Sequence, residues 1–240
     1  MGRALVHRRQ QGSAARAAGL EAAEDLSHLP AVLQQSALWC LSDGGFERRI
    51  VRGSLARAGG DVTVTAFDLE TLRERRGEWA WLPVEPPFRI AGTVSVVACE
   101  IARDFPHVLL KRAGAGDELA DDDHLERLSH VAKTVRDGFG VARSYPSELP
   151  PALPAKPVDG LAEHWRAYTS APDVLAALDL NAALVRTTRR DLVVELLGGL
   201  VLVYPAAHDA PGADALADLT TTALTLVDAV LAASASPERL

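Results

Sequence analysis

The side chains best able to bind a metal or move a proton cluster at Asp121-Asp122-Asp123-His124, with Glu126 and His130 just beyond. Carboxylate oxygen and imidazole nitrogen are the usual protein ligands of zinc-like ions. On a helix, Glu126 and His130 are i,i+4 neighbours sharing a face, while His124 and His130, six apart, do not. Asp123, Glu126 and His130 are thus the candidate metal ligands, and a metal-dependent or acid/base hydrolase that also uses Asp121 and His124 is the catalytic alternative. A simpler account competes with it. Acids in the first turn of a helix are stabilised by the helix dipole, by about 0.3–1 kcal/mol each, and need no ion to explain them.

Other chemistry is thinner. His107 follows Phe105-Pro106 and His164 precedes Trp165; isolated histidines beside aromatic residues are more often packed side chains than acid-base catalysts. Cys40 and Cys99 are the only cysteines, too few for a disulfide framework or a cysteine-rich metal site, and read as small buried apolar residues. The pairs Gly44-Gly45, Gly59-Gly60 and Gly198-Gly199 never combine a preceding strand, a following helix and a lysine, so the sequence holds no phosphate loop. It holds no Gly-x-Ser-x-Gly elbow either. No cofactor is expected.

Trp79, Trp81 and Phe88, interspersed with Pro83, Pro86 and Pro87, make the most aromatic stretch of a chain with only 5% aromatic residues. Such a loop can form a ligand or partner surface, and these three residues are the candidate contacts. Folded onto a sheet edge, the same side chains would be core.

The elements that must position these groups follow from periodicity. Residues 1–25, rich in Ala, Arg, Gln and Glu, predict a helical or frayed N-terminal segment. Pro30 opens a short helix that the turn residues Ser42-Asp43-Gly44-Gly45 stop. Arg48 to Leu69 reads as a hairpin about Gly59-Gly60-Asp61, with alternation through Val62, Val64 and Ala66. A charged loop over 70–78 leads to a strand from Phe88 to Ile101, and a tight connection at Arg103-Asp104-Phe105 leads to another from Pro106 to Leu110. Glu118 to Asp137 has helical spacing, and Ser147 to Pro157, with four prolines, cannot be regular structure.

Beyond it come a strand over Trp165 to Thr169 and a helix from Pro172 to about Arg189. A hairpin is expected with arms Leu192 to Leu197 and Leu200 to Tyr204, turning at Gly198-Gly199, and a closing helix over Ala213 to Ala233 carries an apolar stripe through Val227. Strands then helices in this order predict an α+β fold, a mainly antiparallel sheet with helices packed against it, instead of strict βαβ alternation. The domain reading is a segment 1–25 followed by one α+β domain over 26–240, with 147–157 as the join if the domain has two lobes.

Composition limits the partners. Of 240 residues, 48% are hydrophobic and 24% charged, with a net charge of −7; such a chain folds, and as a whole repels polyanions. The two candidates for a basic patch are Arg3, His7, Arg8, Arg9 and Arg16, and then Arg186, Arg189 and Arg190. Neither is interleaved with aromatic residues, so no nucleic-acid partner is expected. The longest apolar run, Leu196 to Tyr204, is interrupted by its glycine pair, so neither a signal peptide nor membrane insertion is expected and the compartment is the cytoplasm.

In pattern the sequence resembles a family of uncharacterised, mainly actinobacterial proteins of unknown function. The residues that carry the resemblance are Gly44-Gly45-Phe46, the arginine-flanked Arg48-Arg49-Ile50-Val51-Arg52-Gly53, an arm ending in Phe67-Asp68, and the C-terminal order of helix, Leu192 to Tyr204, and closing helix. The resemblance implies the fold and brings no catalytic residue; its members often carry membrane helices ahead of the domain, which this sequence does not show. The functional expectation is a non-catalytic protein-interaction or ligand-binding domain whose partner is a protein or small ligand, with a homodimer through the Val227 face of the last helix as a structural alternative.

Overall fold

The computed structural model describes residues 19–40, 45–74, 88–112, 161, 164–178, 180–187, 189, 191–205 and 213–234. Its strands are β1 (Glu21–Ala22), β2 (Gly45–Arg57), β3 (Gly60–Glu74), β4 (Phe88–Arg112), β5 (Trp165–Thr169) and β6 (Leu192–Pro205). Its helices are a 3-10 turn at Ala31–Gln35, α1 (Ala37–Cys40), α2 (Pro172–Leu178), α3 (Asn181–Arg186) and α4 (Ala213–Ser234). β1 to β5 neighbour one another in chain order and β6 joins β4, with every pairing antiparallel. A mainly antiparallel sheet with helices on it is the α+β architecture that the order of elements predicts.

β4 organises the sheet. It pairs with β3 from Phe88 to Glu100, with β6 from Val97 to Lys111 and with β5 from Val108 to Arg112. Residues that pair on both sides at once put β3 and β5 on one edge of β4 and β6 on the other. Here the structure departs from the two short hairpins that the sequence suggests. Arg103-Asp104-Phe105 lies within β4, and Gly198-Gly199 lies within β6. The two expected turns face each other as irregularities, with Phe105 opposite Gly198.

Glycine explains how. Gly198 has φ +55, a left-handed conformation that bends a strand at a bulge, while a Cβ on Gly199 would stand 3.2 Å from the Ile101 carbonyl oxygen of the neighbouring strand. A glycine pair in a tight turn and a glycine pair in a bulge look alike in sequence. What separates them is the uninterrupted burial of Leu192 to Leu197 and Leu200 to Tyr204, which a continuous strand in mid-sheet provides.

Alternation gives each face its own core. On one face Val64, Val97, Cys99, Leu110, Leu196 and Val203 meet α2, α3 and α4. α4 contributes Leu219, Ala223, Leu226, Val227 and Val230, all at most 1% exposed. Val227 therefore faces the sheet and is not free to pair with a second copy. By length and composition Leu216–Ala233 could cross a membrane, at mean hydropathy 1.5, but its apolar stripe is spent on this core. Arg57 forks onto Asp228 and ties α4 to the β2–β3 hairpin.

The opposite face carries Phe67, Leu69, Val96, Tyr168, Leu202 and Tyr204, and the segment 19–40 lies over it through Leu29, Leu33, Ala37 and Leu38. The described part of the expected N-terminal helix is thus extended, not helical: Ala23 N–H donates to the Ile50 carbonyl at 2.9 Å, and Glu21–Ala22 joins β2. A Cβ on Gly53 would stand 2.5 Å from the Gly19 carbonyl oxygen, so only glycine lets the segment cross the strand there. The short helix after Pro30 breaks at Ser36, where extended backbone divides the 3-10 turn from α1.

Two other boundaries shift. β3 continues to Glu74 where a loop from residue 70 is expected. The helix over 172–189 is two helices, α2 and α3. Leu178, Leu180, Ala183 and Leu184 are all buried; residues two apart lie on opposite sides of a straight helix, so a break is required to bury both Leu178 and Leu180. The helix expected over 118–137 and the proline-rich stretch 147–157 lie outside the described residues.

Candidate functional site

Glu195 sits in the apolar run of β6 with no exposed surface. Burying a carboxylate is costly unless donors surround it, and three do. Ala37 N–H donates to Oε1 at 2.5 Å, and His107 Nε2 lies 2.6 Å from the same oxygen. Tyr204 donates its hydroxyl to Oε2 at 3.0 Å. The first of these caps α1: Ala37 begins the helix, and its N–H is one that no intrahelical carbonyl can satisfy.

The register explains the convergence. Leu109 stands opposite Glu195, so His107, two residues along, shares its face, and the bulge at Gly198 brings Tyr204 of the same strand onto that face too. Thr169 of β5 donates its hydroxyl to the His107 carbonyl at 3.0 Å and steadies β4 at this point. One proton lies between His107 Nε2 and Glu195 Oε1. The other ring nitrogen, Nδ1, is buried without a hydrogen-bond partner, in a side chain only 3% exposed.

A second polar group lies on the face of α4. Asp68, 3% exposed, accepts from the Ser95 hydroxyl and pairs with Arg49. Burial pushes its carboxyl above the ordinary 3.8, outweighing the lowering effects of Ser95 and Arg49. Arg49 has φ +52 beside the irregularity between Arg48 and Val51. The remaining arginines of β2 also find acids: Arg48 pairs with Glu70 and Arg52 with Glu100, each at 3.3 Å, and Arg57 with Asp228. The arginine-rich pattern in the sequence is thus a row of ion pairs running from β2 to β3, β4 and α4.

Cys99 is fully buried, and burial pushes its thiol up to about 12. His164 is exposed. Trp79 and Trp81, and the metal candidates Asp123, Glu126 and His130, lie outside the described residues; of the aromatic three, only the backbone of Phe88 is placed, opposite Glu74 at the start of β4. Among the described residues, no three His, Cys, Asp or Glu side chains gather as metal ligands. The sequence singles out His107 but not Glu195. The available signal was one acid in an otherwise apolar strand, Leu192-Val193-Val194-Glu195-Leu196-Leu197, which has to find donors if that strand is buried.

No protein-family model matches the sequence, and no curated protein matches it. The crystal structure of the mycobacterial trehalose monomycolate transport factor A, TtfA, is similar with a TM-score of 0.52 at 11% identity, over 93% of this chain and 94% of that one. At that identity the likeness is one of fold.

Proposed function

We propose that this chain is a non-catalytic binding protein that serves the transport of an acylated carbohydrate or a related lipid. The observation that carries the reading is the fold shared with TtfA, by name a trehalose monomycolate transport factor, across nearly the whole of both chains. Because so little of either chain is left over, the likeness is not that of one borrowed module.

The interior is in keeping with this role. A general base or nucleophile must come within hydrogen-bond reach of a substrate, whereas Glu195, Asp68 and Cys99 are closed off from solvent and the two acids are engaged by groups of their own chain. Their work is to hold strands and α1 in place. Trp79, Trp81 and Phe88 remain the proposed contact surface, and membership of the actinobacterial family that the sequence resembles belongs to the same proposal.

The test is a titration of the purified protein with a trehalose ester carrying a fluorescent acyl chain. Saturable binding, competed by unlabelled ester but not by trehalose, and a rise in Tm with ligand are expected. Neither binding nor a Tm rise up to the solubility limit of the ester would contradict the proposal.

A further inference from the structure

We propose that residues 19–40 are a displaceable strap, and that the sheet face beneath them is an acyl-lipid site in which His107 Nδ1 hydrogen-bonds a hydroxyl of the ligand. The proposal rests on the lipid-binding function above and adds to it the place, the gate and the polar contact.

Three observations converge. The face under the strap is the aromatic and aliphatic surface of Phe67, Val96, Tyr168, Leu202 and Tyr204, the chemistry that suits an acyl chain, which needs only apolar contact. The strap has no long element of its own: it consists of a two-residue strand, a five-residue 3-10 turn and a four-residue α1 joined by irregular chain. Short elements held by a few backbone bonds open at lower free energy than core strands, and ligand-gating segments come from that class. Third, His107 Nδ1 is buried under the strap without a partner, on a ring whose other nitrogen is already taken by Glu195. Nδ1 is therefore the one polar atom of the ring left over, and a ligand hydroxyl, which can donate or accept, is its complement.

Opening also has a defined hinge chemistry. Ala37 N–H and His107 share Glu195 Oε1, so lifting α1 leaves the carboxylate still held by His107 and Tyr204 instead of stranding it. At the other end the strap is fastened by Ala22 opposite Val51, and midway it rests against β6, where a Cβ on Gly198 would stand 3.2 Å from Val32 Cγ1.

That contact allows a staple. V32C/G198C in a C40S background is oxidised, the crosslink confirmed by intact mass, and the fluorescent acyl-trehalose titration repeated with and without reductant. The oxidised form should bind at least tenfold more weakly than its reduced form. Equal binding by the two forms, with the unmodified protein binding normally, overturns the strap and leaves the function standing; no binding by the unmodified protein overturns both. If the stapled variant does not fold, Leu33→Ala decides. It removes an apolar anchor of the strap, lowers the cost of opening, and should bind the probe several-fold tighter; unchanged or weaker binding overturns the proposal. Finally, His107→Gln keeps a donor for Glu195 and removes Nδ1, so it should lose discrimination between the acyl trehalose and an alkane of equal length; unchanged discrimination overturns the Nδ1 contact.

Discussion

Arg49 reaches the buried carboxylate of Asp68 from a left-handed backbone, φ +52, at the irregularity of β2. A non-glycine residue in that region costs on the order of 1–2 kcal/mol, so the sequence keeps a strained arginine where glycine would be easier. The ion pair and the Ser95 hydroxyl are what the strain secures.

The carboxyl of Asp68 is raised above 3.8 by burial, which fixes the sign of its pH dependence. Between 3.8 and the raised value the folded state binds more proton than the unfolded state, so stability falls as pH rises through that window. Asp68→Asn cannot titrate. The Tm of Asp68→Asn relative to the parent should therefore rise as pH moves from about 3.5 to 7; a relative Tm that falls over this range would show that Arg49 and Ser95, not burial, dominate.

Glu195 holds three donors from three places in the chain. Glu195→Ala leaves Ala37 N–H, the His107 ring and the Tyr204 hydroxyl unpaired in the interior, with an expected loss of about 3–5 kcal/mol. Glu195→Gln retains one acceptor oxygen and should lose less. Urea unfolding measures both, and a loss under about 1 kcal/mol for the alanine variant is incompatible with a structural role.

Gly53 is required by a close approach, not by its own backbone angle. In Gly53→Ala the new methyl meets the Gly19 carbonyl oxygen at 2.5 Å and pushes the strap off β2, at about 1–3 kcal/mol. Denaturant melts report the loss, and faster hydrogen exchange at Ala23 would locate it.

The thiol of Cys99 is buried and held to about 12, so in the folded protein it should resist alkylation at pH 8 and react at the unfolding rate in urea. Rapid labelling of Cys99 in native buffer would contradict its place in the core.

How much of this could be read from residue order follows the physics of each element. The β2–β3 hairpin is visible because Val62, Val64 and Ala66 alternate with polar and opposite-facing residues, and α4 because its stripe repeats at helical spacing. β5 shows as a short run ending before Pro172. The long strands β4 and β6 were hidden by their own bends, since Gly198-Gly199 suits a hairpin as well as a bulge and only burial on both sides decides. The network at Glu195 was hidden for a different reason. Its members lie 88 residues apart for His107 and 158 for Ala37, and nothing local records the register that joins them. The aromatic and acidic candidates, Trp79, Trp81, Asp123, Glu126 and His130, are outside the described residues and rest on sequence alone.

The most direct test of a sheet covered by a yielding strap is amide hydrogen exchange, free and with the acyl-trehalose probe. The account predicts that amides of residues 19–40 exchange well before those of β3, β4 and β6, and that the probe alters exchange in the strap and on the face beneath it. Strap amides as slow as those of β4, with no response to the probe, would contradict it.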